Sequence, residues 1–551
     1  MDRRNFIKQV ASGAGSLTAS QFLAYFINYG LPVSHARAAA MAADLAAAAD
    51  EPRFLIYWFI EGGWMGYDMF NPVMSPNHVV RRLEDPGQER YRVLKWGEDG
   101  YGIATHGHIR YGYLAEGGKD LFADMAVLSS MRTGSFHSGE RLKAHMGDYA
   151  YRHTDERQED ERSVMQAFAE AHGQPYILPN LSWHWWLSDG ELNEAQFTGR
   201  RGYYHALGPA HAHTIYAGTP AKLRSFLLRM HQMSTDEVNL RVQDFIDNVE
   251  GNLLADERAE AVKSYHSARA IYQSLAGRGR GLEPTRVNGL FNDPELKEAF
   301  NVAPADELIT YRSINGNKAR TKFSPATNVQ AMMTFELMRA GYACAFWIES
   351  QGIRKFDDHY TRRALWKDDG RTPVGLPDTT RKMDEDLWDP LRTLVGLLKS
   401  TEYRSTGKSL FDLTTIVITS EFGRTIHGDV EAIWKMPIDE TDKKKMIDDQ
   451  DICQHWPVTS AVFLGGTVAG ARQFGGVGEQ TLQPIPLLPD GSLDEAYDPQ
   501  TGLLKPERRP NEKGFVPNHG DVYATALDLT GLNPSGRGRN TRPPLRFIKR
   551  A

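Results

Sequence analysis

The chain has 551 residues, 41% of them apolar, a formal net charge of −6, and two cysteines, Cys344 and Cys453. That length suits one large α/β domain with insertions, or two domains. The mild acidity gives no footing to a nucleic-acid-binding reading, and cysteines outside any C-x-x-C pair argue against a disulfide framework or a thiolate zinc site.

The N-terminus carries Arg3–Arg4, Phe6 and Lys8, then a weakly apolar stretch and Ala36-Arg37-Ala38. Residues 1–38 resemble a twin-arginine export signal, and 39–50 read as an alanine-rich leader. The expected partner is the twin-arginine translocase, and the expected location is periplasmic or otherwise exported. No other stretch is long and apolar enough to be expected to span a membrane.

From residue 51 to the end, apolar runs repeatedly give way to polar, glycine-bearing loops. "FLIYWFI" leads into "EGGWMGYD", "MAVLSSM" into "RTGSFHSGE" and "YACAFWI" into "ESQGIRKFDDHYTRR"; "TTIVITS" leads into "EFGRT" and "TSAVFLGG" into "TVAGARQFGG". Continuous apolar runs predict parallel strands covered on both faces. Between them, "SGERLKAHMGDYAYRH", "SVMQAFAEAHG", "AKLRSFLLRMHQM", "DEVNLRVQDFIDNVEGNL", "VQAMMTFELMRAG" and "DEDLWDPLRTLVGLLKS" have the spacing of amphipathic helices. The expected fold is a doubly wound, mostly parallel α/β sheet flanked by helices, with a helical insertion at about 219–308. Residues 426–453, with "DETDKKKMIDDQD", read as an exposed charged excursion.

In such a sheet, ligands gather at the carboxyl ends of the strands. The polar residues that follow the runs are Asp68, His137, the Asp357–Asp358–His359 group, Glu421 and Arg424, with His455 just ahead of a further strand. Carboxylates and imidazoles are ligands for zinc, manganese, iron or magnesium. Singly, each has an ordinary alternative: a D-x-H surface turn, a loop histidine, or an Asp68 that caps a turn.

Several of these segments resemble one family. "GGWMGYDMFNP", "FDDHYTR", "TSEFGRT" with "HWP" and "FLGGTVAGARQFG", and "NHGDVYATALDLTGLNPSGRGR" are similar to motifs of the domain-of-unknown-function 1501 family of exported bacterial proteins. That family is related to the alkaline phosphatase and sulfatase superfamily. The resemblance implies an alkaline-phosphatase-like fold and a site for one or two divalent metals, zinc or another transition ion. Asp357, His359 and His455 would match the ligands of one metal, and Asp68 and Glu421 those of the other. Two such metals clamp a phosphoryl or sulfuryl group. Arg424 would either hold a substrate oxyanion or pair with Glu421. His137 is a further catalytic candidate. Thr133, Ser135 and Ser138 are candidate nucleophiles, ahead of a helix start that favours anions. The C-x-P-x-R sequence of formylglycine sulfatases is missing, and Glu421 stands where alkaline phosphatases use an Asp-His pair. The expected function is metal-dependent hydrolysis of a small-molecule or polymer phosphate or sulfate ester. The alternative is a non-enzymatic periplasmic binding or assembly protein.

Overall fold

The computed structural model describes residues 52–64, 66, 69–72, 79–85, 90–95, 103–135, 137–147, 162–183, 215–235, 279, 281–307, 309–315, 318–350, 383–404, 406–424, 455–479, 482–535 and 542–550. The expected export signal and leader, the helix expected at "DEVNLRVQDFIDNVEGNL", the charged excursion expected at 426–453 and Cys453 lie outside them.

The apolar runs form strands of one eight-stranded sheet. In chain order these are β1 (Phe54–Ile60), β2 (Ala126–Arg132), β3 (Asn180–Ser182), β4 (Ile215–Tyr216), β5 (Ala345–Ser350), β6 (Thr414–Ser420), β7 (Val458–Gly465) and β8 (Arg472–Phe474). Their spatial order is β8-β2-β7-β6-β1-β5-β3-β4. β1 lies at the centre, parallel to β5 on one side and to β6 on the other. Every residue of β1, β5 and β6 is buried, as strands covered on both faces require.

One strand departs from expectation. β7, the run "VTSAVFLG", is antiparallel to both β6 and β2. An apolar run reports that both faces are covered and carries no information about direction. β7 starts at the edge where β6 and β2 end, with Val458 opposite Arg132, so it must run back across the sheet. The sheet is therefore mixed and mostly parallel.

The longer helices among the described residues are α1 (His137–Met146), α2 (Val164–His172), α3 (Pro220–Thr235), α4 (Thr327–Ala340), α5 (Asp389–Ser400) and α6 (His519–Leu529). α1, α2 and α6 pack together over β1, β5 and β6. On that face Tyr57 stacks on Trp347, and His145 of α1 meets Trp347 edge-on. α4 and α5 pack together on the other face, where Trp58 donates to Ser350, which donates to the Asp386 carbonyl. A π-turn, Asp384–Trp388, leads into α5, whose second residue is Pro390. In the insertion, the described residues form α3 and the short helices Pro284–Gly289, Pro294–Ala299 and Pro304–Glu307. Hairpins at Val79–Lys95 and Ile309–Ser324 were not expected from the sequence; their strands are charged and lack long apolar runs. Among the described residues, no helix is long and apolar enough to cross a membrane.

Candidate functional site

Strand direction brings the loops of interest to one edge. β1, β2, β5 and β6 all end there, and β7 begins there. The chain leaves β1 through Glu61, Gly62, Gly63 and Trp64. Gly62 and Gly63 have φ of 101° and 81°, a region that side chains disfavour. At Gly63 a Cβ would lie 2.5 Å from the Phe422 ring, so the backbone approaches that ring as only glycine allows.

The loops after β1 and β6 are interlocked. Gly62 N–H donates to Glu421 Oε1 at 2.7 Å, and Trp64 N–H donates to Ser420 Oγ at 3.1 Å. Ser420 Oγ donates in turn to the Ile60 carbonyl at 2.8 Å. Arg424 donates from Nη2 to the Gly62 carbonyl and from Nε to the Gly63 carbonyl. Glu421 and Arg424 are both fully buried. A carboxylate and a guanidinium follow this buried strand because each satisfies the backbone of the neighbouring glycine loop.

Over these loops lies Arg141 of α1. Its Nη2 pairs with Glu61 Oε1, its Nε lies 3.7 Å from Glu421 Oε2, and its guanidinium sits 5.9 Å from the centre of the Phe59 ring. Burial pulls the Arg141 pKa down, but the charges of Glu61, Glu421 and Glu349 outweigh it and hold the pKa above the ordinary arginine value. The neighbouring Glu140 pairs with Lys143 at 2.6 Å.

α6 closes the centre. Asn518 and Asp521 form a reciprocal cap at its start. This cap aims the first helical residue, His519, at the β6 loop. Its Nε2 is 3.1 Å from the Glu421 carbonyl, which can only accept, so Nε2 carries the proton. Nε2 is also 4.0 Å from Glu140 Oε2. Burial, more than any other influence, lowers the His519 pKa, with Glu140 opposing it.

Of the residues singled out in the sequence, Glu421, Arg424 and His455 converge here. Gly423–Arg424 pairs with His455–Trp456 in a two-stranded ribbon, with Arg424 opposite His455. The His455 ring packs on Phe422 with centroids 4.1 Å apart. His455 Nδ1 is 2.6 Å from the Ser135 carbonyl. Thr133 is nearby: its N–H donates to the Pro457 carbonyl at 2.9 Å and its hydroxyl to the Gly134 carbonyl at 3.1 Å. Ser135 is half-buried on the same loop. His137 and Ser138 are the first two residues of α1. Asp68, Asp357 and His359 lie outside the described residues.

Five further residues belong to this centre: Glu61, Glu140, Arg141, Glu349 and His519. Glu61 follows an apolar strand just as Glu421 does, and that signal was available in "FLIYWFIEGG". Arg141 and Glu140 carried none, being charged residues on an amphipathic helix. Cys344 is buried in the core.

Does the centre suit a metal? A ligating histidine commonly donates its other ring N–H to a carbonyl, and His455 does so through Nδ1, leaving the lone pair on Nε2. Glu421 suits the role less well, since its carboxylate is engaged by Gly62 N–H and faces Arg141. Among the described residues, no group of three His, Cys, Asp or Glu is arranged to hold a metal ion. No family model matches the chain, and no curated protein is similar to it.

Proposed function

We propose that this protein is an exported, metal-dependent hydrolase of phosphate or sulfate esters, working at the C-terminal edge of β1, β5 and β6. The observation that carries this reading is the charge buried there. Glu61, Glu140, Glu349 and Glu421 are all buried, beside Arg141, Arg424 and the half-exposed Lys143. Carboxylates gathered with an imidazole at one sheet edge are the ligand chemistry that divalent ions favour. The motif resemblance supports the same reading, and it includes the alkaline-phosphatase-like character of the fold.

His455 would hold the ion together with Asp357 and His359, the set the resemblance implies. A divalent ion, when bound, supplies Lewis-acid polarisation of the ester oxygens. The chain's own residues do the rest. The Ser135 carbonyl orients the His455 ring, and the Thr133–Pro457 hydrogen bond joins the candidate nucleophile loop to the histidine loop. Arg424 orders the glycine loop through two carbonyls.

A second reading has its own observation. Glu421 and Arg424 are buried and engaged by neighbouring backbone. That suits a binding or assembly protein in which the centre is a structural lock.

The two separate on metal content, measured by mass spectrometry, beside hydrolysis of an aryl phosphate and an aryl sulfate. The hydrolase reading expects metal in the purified protein and its loss in His455→Ala and in His359→Ala, with turnover falling in step. Retention should weaken below about pH 6.5, where imidazole protonates. Full occupancy in the double histidine variant removes the ligand assignment. Bound metal with no turnover of either ester favours the second reading.

A further inference from the structure

We infer that Arg141 is the positioning residue of this centre: a charge clamp on α1 that joins the glycine loop after β1 to the Glu421 loop after β6. The inference deepens the proposed function and rests on that reading only for its consequence in metal retention.

The geometry runs as a short relay. Arg141 grips Glu61, the residue preceding Gly62, and its Nε faces Glu421 Oε2. The other oxygen of the same carboxylate accepts Gly62 N–H. One guanidinium thus touches both loops, while Glu421 ties them to each other through the backbone. A planar fork of donors matches two carboxylates in a way that a lysine ammonium does not. Arg141 also sits over the Phe59 ring, and the charge of Glu349 near the end of β5 favours its charged form. The clamp therefore joins α1 to the loops that follow two adjacent parallel strands, β1 and β6. His519 holds the same loop from α6 through the Glu421 carbonyl, while Arg141 faces its carboxylate from α1.

The test is peptide-resolved hydrogen exchange on the mature protein, comparing wild type, Arg141→Met and Arg141→Lys, with metal content measured on the same samples. Arg141→Met should lower protection at 61–64 and at 420–424 together, by about tenfold or more, the loss expected for a charged hydrogen bond. The helix α6 and strand β5 should keep theirs. Millimolar guanidinium chloride should restore protection in Arg141→Met, a rescue that a mere packing role would not show. If Arg141→Met does not fold, Arg141→Lys carries the test, with the same paired loss at smaller size. Loss confined to α1, loss in only one of the two loops, or no loss overturns the clamp. If wild type holds no metal, the hydrolase reading fails while the exchange result still decides the clamp. If wild type does hold metal, the clamp variants should retain less of it.

Discussion

Two regions of this molecule handle carboxylates in opposite ways. In the turn-rich stretch 490–501, Asp490 accepts from the amide and hydroxyl of Ser492 at 3.0 and 2.7 Å. Asp498 accepts from the amides of Gln500 and Thr501 at 2.8 and 2.9 Å. Their partners lie within three residues. These bonds, led by the Ser492 hydroxyl at Asp490 and the Thr501 amide at Asp498, hold both pKa values below the ordinary aspartate value. At the sheet edge, Glu61 meets an arginine 80 positions away, and Glu421 meets a glycine amide 359 positions away. The turn carboxylates are solvated and arranged by local sequence. The edge carboxylates are buried, and only the assembled fold supplies what makes their burial tolerable.

The comparison breaks most sharply at Arg141. Arg141→Met should destabilise the protein by about 3–5 kcal/mol, because it removes the cation that faces two buried carboxylates. Denaturant unfolding measures this. Asp498→Asn, in the turn region, should shift the unfolding midpoint far less. Equal shifts would mean that the edge charges are as well hydrated as the turn charges.

A smaller effect is expected at the glycine loop. Gly63→Ala adds a Cβ at positive φ against the Phe422 ring. The expected cost is about 1–3 kcal/mol, read from the same unfolding curves. A neutral result would show that the interlock between the two loops yields easily.

The smallest effect concerns pH. Asp384, in the turn before α5, has its pKa raised from 3.8 to about 6, chiefly by burial and then by the charge of Asp389. Its folded state holds a proton that the unfolded chain has released, so its contribution to stability is present below pH 3.8 and lost as pH rises towards 6. Asp384→Asn should remove that loss: the stability of wild type minus that of the variant should fall across this window. The turn aspartates run the other way. Their depressed values add stability that persists above pH 3.8 and disappears as pH falls through their folded values. Unfolding midpoints from about pH 3 to 7 would resolve the two signs.

What could be read from the chain were features with a local period or a local partner. The runs "FLIYWFI" and "TTIVITS" announce buried strands because coverage on both faces demands apolar residues at every position. α2, α4 and α5 show themselves through their apolar faces. Glu421, Arg424 and His455 were visible as polar residues at strand ends, and the fold does bring them together. Glu61 was visible by the same logic, though it stood beside a more familiar glycine pair. Arg141 and His519 were not, since a charged residue on a helix surface and a histidine at a helix start look alike whether they face water or a buried glutamate. Nor could apolar runs tell that β7 reverses, because burial is blind to strand direction. Strand identity is therefore written in short stretches of this sequence. Strand direction, register and the pairing of Arg141 with Glu61 and Glu421 belong to the tertiary structure, because each depends on which distant segment arrives alongside.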